Sequence, residues 1–466
     1  MRHLFGLKSF WNFLRRNKLF TAINIFGFAV SLMFVVLIGL YVQDELAVDD
    51  SQINKDRIFR LEYEGSAMLP PAMASAMQTR YPEIEATTRV YGPWDLKLEA
   101  IPGFTAEKTT GNAMFVDSAF FTIFSFPFVE GTPERAMPTI NDVVLTRRFA
   151  RRLFGNKAAI GQPLHIAGRD FIVSGVVADF EHTHFINPDV IMAVDLALPV
   201  CFGVDYPGFM STMNGSYDFT TYLLAKERTD LANRLDTAEL AHTFLNVFGL
   251  DLFKRGYLRN PRLCPLKEVY LNPIYGRASR SNSRHYLLAL QVTAWVILLF
   301  AVINYINLSV AQSGFRAKEA ATRRLLGGSR GSLFGGFILE SLIICFVSFV
   351  LGLLMASSVE PWFREVMQTD ISLKESFTTE NVLLALAGVL VIGTVSGLVP
   401  AFVLTRFQPI DVVRGTFRRQ TKMVYSKVLI VFQYCITIAL LGCTITVIRQ
   451  TNFMMKTDLG YRHDYL

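Results

Sequence analysis

The sequence predicts an integral membrane α-helical protein with about five transmembrane helices and a large α+β extracytoplasmic domain. Three observations lead there. The 466 residues are 51% hydrophobic and only 18% charged, where soluble chains carry about 25% charged residues. The charge deficit is confined to a few runs long enough to cross a ~30 Å hydrocarbon core as helices. Finally, the charges outside those runs are sorted by sign along the chain.

The runs set the order of elements. Leu19 to Gln43, Tyr286 to Phe315, Asn381 to Thr405 and Val428 to Ile448 carry no charge, and Ser332 to Val359 carries only Glu340. The first run is longer than the apolar core of a cleavable signal, about 7–15 residues, and "QDEL" follows it, so it reads as a retained helix. Residues 1–18, 316–330 and 406–427 together hold sixteen basic and two acidic residues. Acids outnumber bases in 44–285 and in 360–380. Lys and Arg in short loops mark the cytoplasmic side, which predicts a cytoplasmic N-terminus, 44–285 outside, a basic cytoplasmic linker at 406–427 and a second extracytoplasmic segment from 449. The pI of 9.1 then reflects topology and implies contact with a lipid bilayer, not with nucleic acid.

Residues 44–285 are long enough to bury a core of their own. "NDVVLTRRFARRLFG" (141–155) reads as a short strand running into an amphipathic helix that stops at Gly155. "GQPLHIAGRDFIVSGVVADF" (161–180) reads as a hairpin with Leu164 and Ile166 alternating on one arm and Phe171, Val173 and Val176 on the other. "PPAMASAMQTRYPEIEATTRV" (70–90) passes from helix to strand composition, and "FTTYLLAKERTD" (219–230) from strand to helix start.

The basic segment "RAKEAATRRLLGGSR" (316–330) stands between two apolar runs. As a helix it places Ala317, Ala320, Ala321 and Leu325 on one face and pairs Glu319 with Arg323 at i, i+4. Gly327 and Gly328 supply a stop. Marking topology would need none of these, so the stretch reads as a docking surface for a partner. The cytoplasmic segments are too short for a catalytic domain, and no G-x-x-x-x-G-K-[ST] occurs, so no phosphate-binding loop is available within the chain.

"INYINLSVAQSGFRAKEAATRRLLGGSRGSLFGGFILESLI" (303–343) closely resembles the second helix, loop and third helix of FtsX-like, MacB-type ABC transporter permeases. "LVPAFVLTRFQPIDVVRG" (398–415), "FIVSGVVADF" with "THFINPDV" (171–190), and "NKLFTAINIFGFAVSLMFVVLIGLYVQDELAVD" extend the resemblance over nearly the whole chain in order. The resemblance implies a non-catalytic permease subunit that binds no cofactor and transmits the work of a separate ABC ATPase, which holds ATP and Mg. It implies docking through Arg316, Lys318, Glu319, Arg323, Arg324, Leu325 and Gly327, aided by basic segments 15–18 and 406–419. It also implies a second permease copy or a homodimer, and periplasmic adaptor or outer-membrane components as further partners. MacB-type exporters have a fused ATPase domain and four helices, both unlike this chain. Residues 418–466 instead look like the start of a second copy, as in the long two-repeat permeases. Export of antimicrobial or other small compounds or peptides, lipoprotein release, control of a cell-wall hydrolase and sensing of an antimicrobial peptide are the outcomes such a family allows.

Other features have plainer readings. Glu340, the one charge inside a span, is a functional candidate by default, although a structural hydrogen bond near the cytoplasmic boundary accounts for it equally well. In "EHTHF" (181–185), Glu181, His182 and His184 lack evident further metal ligands, so ordinary hydrogen bonds are expected. Cys345, Cys435 and Cys443 lie in spans and read as core residues. Cys201 and Cys264 could pair in an oxidising compartment. Gly393 and Gly397 form a GxxxG suited to close helix packing or to a dimer.

Overall fold

The computed structural model describes residues 15, 17–99, 109–276, 278–311, 320–406 and 424–457. In chain order the principal elements are α1 (Lys18–Leu46), β1 (Ile58–Glu62), β2 (Met68–Leu69), α2 (Met73–Arg80), β3 (Ile84–Glu99), β4 (Thr109–Val116), β5 (Phe128–Glu130), β6 (Asp142–Thr146), α3 (Arg147–Phe154), β7 (Pro163–Ile166), β8 (Arg169–Val177) and β9 (Val190–Ala193). There follow α4 (Ala197–Phe202), β10 (Phe219–Ala225), β11 (Arg262–Pro265), α5 (Arg284–Ala311), α6 (320–325), α7 (Arg330–Met367), α8 (Thr379–Arg406) and α9 (Val424–Lys456). Two compact units result. One is the uninterrupted segment Gln43–Leu288. The other joins Met1–Val42 to Ala289–Leu466. Five helices, α1, α5, α7, α8 and α9, are long and apolar enough to cross a membrane.

The Gln43–Leu288 unit is built on a mixed sheet in the order β11-β1-β10-β3-β4-β9-β6-β8-β5, with β2 on β10 and β7 joined to both β3 and β8. The β4–β9 and β6–β8 pairs are parallel; the remaining pairs are antiparallel. Every residue of β1, β6 and β10 is buried, so both faces of these strands are covered, and the polar residues they carry, Arg60 and Glu62 of β1 among them, lie inside the fold. Successive side chains go to opposite faces. Val143 and Leu145 of β6 enter one core cluster while Val144 enters another. On β10, Tyr222 and Leu224 face one cluster and Leu223 another. The second cluster is rich in phenylalanine. Phe126 and Phe180 stack with ring centroids 3.9 Å apart, and Phe124 meets Phe185 edge-on at 4.9 Å. Each buried ring contributes about 1.5–3 kcal/mol of apolar transfer.

The strand-to-helix passage expected over 141–155 is present as β6 and α3. Phe149, Ala150, Leu153 and Phe154 are buried and the arginines turn outward, and the helix stops at Gly155. The hairpin over 161–180 is β7–β8, with Leu164 opposite Phe171. The possible Cys201–Cys264 bridge is absent and both thiols are free. Cys201, on α4, lies against the first cluster and Cys264, on β11, sits in the second. Burial pushes both thiols up to about 12, so neither is a reactive group.

In the membrane unit, close contacts occur where small residues let backbones meet. A Cβ on Gly352 of α7 would lie 2.8 Å from the Ala29 carbonyl oxygen of α1, and one on Gly397 of α8 would lie 2.8 Å from the Ser341 hydroxyl of α7. The Gly393–Gly397 face is thus occupied by α7 within the chain rather than left open for a dimer. Phe28 of α1 packs on Tyr305 of α5 with ring centroids 5.4 Å apart. Helix α9 differs: none of its residues over 430–457 is buried. Cys435 and Cys443 are therefore exposed on it, contrary to the core reading, because an apolar side chain in a span can face lipid instead of protein. Only Cys345 is buried as expected.

Candidate coupling site

The basic stretch after α5 is described from residue 320 onward. Arg316, Lys318 and Glu319, with Ala317, lie outside the described residues, as does most of 406–419. What is described is a helix end of defined geometry. The Gly328 N–H donates to the Arg323 carbonyl at 2.9 Å and the Gly327 N–H to the Arg324 carbonyl at 3.1 Å, the paired bonds of a Schellman stop. Gly327 has φ +90°, and a Cβ on Gly328 would come within 2.8 Å of the Arg323 oxygen; glycine meets both demands. The chain turns at once into α7, whose first turn is capped by the Ser329 hydroxyl accepting from the Ser332 N–H at 3.2 Å.

The stop determines what α6 presents. Ala320 and Ala321 are buried, Arg323 and Arg324 are half-buried, and Leu325 and Leu326 are 66% and 83% exposed. The expected single face of Ala320, Ala321 and Leu325 is therefore split. The alanines pack inward, and Leu325 projects because the helix ends beneath it. An exposed leucine pair beside two guanidinium groups can offer a partner both an apolar anchor and cations.

Glu340 is half-buried on α7, about 15 Å along the helix from Arg330. Its neighbour Ser341 is buried and shares a 2.8 Å hydrogen bond with Tyr305 of α5. This polar contact ties two spans together.

The "EHTHF" histidines are bonded as ordinary residues, and no group of three metal-ligating side chains occurs among the described residues. His182 Nδ1 lies 3.0 Å from Asp44 Oδ1. His184, fully buried, sits between Asp49 and Tyr222 at 2.7 Å from each. The bond to Asp44 is the main cause that raises the His182 pKa, Asp44 and Glu181 charges add to it, and burial and Arg280 oppose it. A raised pKa means that the charged form is favoured by folding. The stabilisation is complete below the unfolded value of about 6.5 and is lost as pH rises through the folded value. The pair is half-exposed, so its worth is at most about 1 kcal/mol. Between pH 5.5 and 8.5, the difference in thermal unfolding between wild type and His182→Gln should shrink toward zero; a difference independent of pH would refute the assignment.

Sequence reading missed the polar partners of this unit: Glu45, Asp49, Arg60, Glu62 and Tyr222. Only "FRLE" held a signal, two opposite charges at i and i+2 in a strand otherwise apolar. The other partners are separated by up to 237 residues.

Five helices long and apolar enough to cross a membrane, a separate mixed α/β unit, and a short glycine-stopped helix between two spans define an integral membrane protein with a large folded domain. Residues 21–235 match the MacB-like periplasmic core domain and residues 292–409 the FtsX-like permease C-terminal domain. The chain belongs to the FtsX-like, MacB-type ABC transporter permeases. It is similar to a macrolide export ATP-binding/permease protein MacB of Chromobacterium violaceum, 24% identical over 272 residues, covering 58% of this chain and 37% of the relative. A namesake from Agrobacterium fabrum is 25% identical over 124 residues, covering 27% and 19%. The chain thus spans well under half the length of these relatives. Among solved structures, a permease domain from Porphyromonas gingivalis aligns with 52% of this chain and 100% of its own at 17% identity and a TM-score of 0.38. The periplasmic region of MacB from Actinobacillus actinomycetemcomitans aligns with 46% and 90% at 12% identity and 0.33.

Proposed function

We propose that the chain is a non-catalytic permease subunit that couples ATP hydrolysis by a separate nucleotide-binding subunit to motion of its extracytoplasmic domain. The observation that carries this reading is the Schellman-stopped α6, which exposes Leu325 and Leu326 beside Arg323 and Arg324 between two spans. ATP and Mg belong to the partner, and this chain binds neither. The excess of Lys and Arg in the basic segments supports a cytoplasmic position for α6 and the N-terminus, where an ATPase would dock. Closure of two ATPase subunits, each on one permease copy, would move α5 and α1 and reshape the Gln43–Leu288 unit. Cargo need not cross the spans: antimicrobial or other small compounds or peptides would be expelled by the moving domain, with adaptor or outer-membrane components as further partners.

The test is co-purification in detergent. Wild type should bring down a P-loop ATPase. Arg323→Glu with Arg324→Glu, and separately Leu325→Ser with Leu326→Ser, should reduce capture by about 10-fold or more, the effect of losing roughly 1.4 kcal/mol or more of docking energy. A folded, membrane-inserted wild type that captures no ATPase would sink the coupling reading.

A further inference from the structure

The Gln43–Leu288 unit is inserted as one continuous segment between α1 and α5, so those two helices are its covalent connections to the membrane unit. Both connections converge on the same five residues, 181–185. From the α1 side, Asp44 contacts His182 at 3.0 Å. The Asp49 N–H donates to the His182 carbonyl at 2.8 Å, and Asp49 Oδ1 accepts from the Thr183 hydroxyl at 2.8 Å. From the α5 side, the Arg280 N–H donates to the His184 carbonyl at 2.8 Å and Arg280 Nε to the Thr183 carbonyl at 2.8 Å. Glu45 spans the two connections directly, accepting at 2.6 Å from both Tyr270 Oη and Asn282 Nδ2.

Two side chains of the 181–185 loop reach the sheet: Phe185 packs on Tyr222 with ring centroids 5.6 Å apart, and His184 is hydrogen-bonded to it. His184 Nδ1 is 2.7 Å from Asp49 Oδ2 and its Nε2 is 2.7 Å from Tyr222 Oη, on the central strand β10. Burial pushes the Tyr222 phenol well above its usual value, against the opposing charge of Arg60 on β1. The phenol therefore stays protonated and can donate to Nε2; in that tautomer Nδ1–H donates to the Asp49 carboxylate. Asp49 is 2%, His184 0% and Tyr222 0% exposed. Water offers these groups no substitute partners, so the chain of bonds holds or breaks as a unit.

We infer that His184 is the positioning residue through which displacements of α1 and α5 are delivered to the central strands of the extracytoplasmic sheet. The inference rests on the permease reading for the source of the displacement, and on the collar's own geometry for its route. Without His184 the connections would still be tied to the 181–185 loop and Phe185 would still pack on Tyr222, but no directional hydrogen bond would hold the loop in register over β10. Motion of the helices would then be absorbed there.

The experiment uses the full chain with its co-purifying ATPase in nanodiscs. Three variants are compared: His184→Phe, which removes both side-chain bonds; His184→Asn, which can keep the bond to Asp49; and His184→Gln, which can keep the one to Tyr222. The first readout is the change in hydrogen exchange over β1 and β10 between the nucleotide-free and the vanadate-trapped complex. Wild type should show a change. His184→Phe should lose it while capturing the ATPase and hydrolysing ATP as wild type does, and the single-bond variants should recover part of it. Full retention in His184→Phe would overturn the inference. If His184→Phe fails to fold, the Asn and Gln variants take its place, and both would have to match wild type to overturn it. The second readout needs no ATPase. Spin labels at Leu46→Cys and Leu288→Cys, both at exposed positions, in a Cys435→Ala, Cys443→Ala background, should give a narrow distance distribution in wild type and a broad one in His184→Phe. If wild type captures no ATPase, the permease reading fails and this pair alone decides the collar: equal widths in the two proteins would overturn it.

Discussion

Glu62→Ala is expected to unfold much of the extracytoplasmic sheet. Arg60 and Glu62, on β1, are 1% and 0% exposed. Glu62 Oε1 accepts from Arg60 Nε at 2.8 Å and from Nη2 at 2.6 Å. Its Oε2 accepts from Arg262 Nε and Nη2, each at 3.1 Å, and from Asn272 Nδ2 at 2.9 Å. One carboxylate thus satisfies five donors from three segments. Truncating it leaves the Arg60 guanidinium inside the protein without its counter-charge, which costs about 3–5 kcal/mol against a typical domain stability of about 5–15 kcal/mol. Removing both charges is a different matter: Arg60→Met with Glu62→Leu keeps the volume, leaves no buried charge, and should recover most of the loss. Hydrogen exchange over β1 and β10 of the full-length protein reads the difference. Protection in Glu62→Ala equal to wild type, or a double variant as damaged as the single, would contradict the account.

This pair also shows where sequence reading stops. The spans were legible because twenty apolar residues in a row have few alternatives. The passage from β6 into α3 was legible because the apolar period changes within fifteen residues and Gly155 ends it. The collar was not. Asp49 and His184 are 135 residues apart, and each looks like a surface polar residue until the fold brings them together. The α6 helix was half legible. Its face of small residues was visible, and so was its double-glycine stop. That Leu325 turns away from the alanines follows from where the helix ends relative to the bundle, which a helical projection does not contain. Gly393 and Gly397 announced a close approach but not its partner, since a second helix of the same chain and a second chain would ask the same of them. For α9, apolar composition was read as burial, yet hydropathy in a span reports contact with lipid as much as with protein.

Gly352→Leu should separate α1 from the membrane unit. A Cβ at 352 would stand 2.8 Å from the Ala29 carbonyl oxygen, 3.4 Å from the Met33 nitrogen and 3.5 Å from Leu32 Cβ. Two of these three atoms are helix backbone, so no rotamer change relieves the clash and α1 must move as a body. The loss would spread to Phe28 and Leu32, which pack with Leu298, Ala301, Tyr305 and Ile344 around the same contact. Within a bilayer such packing is itself the main attraction between helices, because lipid tails are as apolar as leucine. Overpacking of this kind costs about 1–3 kcal/mol where neighbours can adjust, and here the nearest neighbour is backbone. Gly335, on the same helix with no atom within 4 Å of its added Cβ, is the matched control. Thermal unfolding in detergent should fall clearly for Gly352→Leu and hardly at all for Gly335→Leu. If the two fall together, the loss belongs to the leucine in α7 generally rather than to the α1–α7 contact. If only Gly352→Leu falls and ATPase capture through α6 survives, docking and transmission separate physically. The ATPase would then still hold α6 while α1, one of the two connections to the extracytoplasmic unit, no longer follows α7.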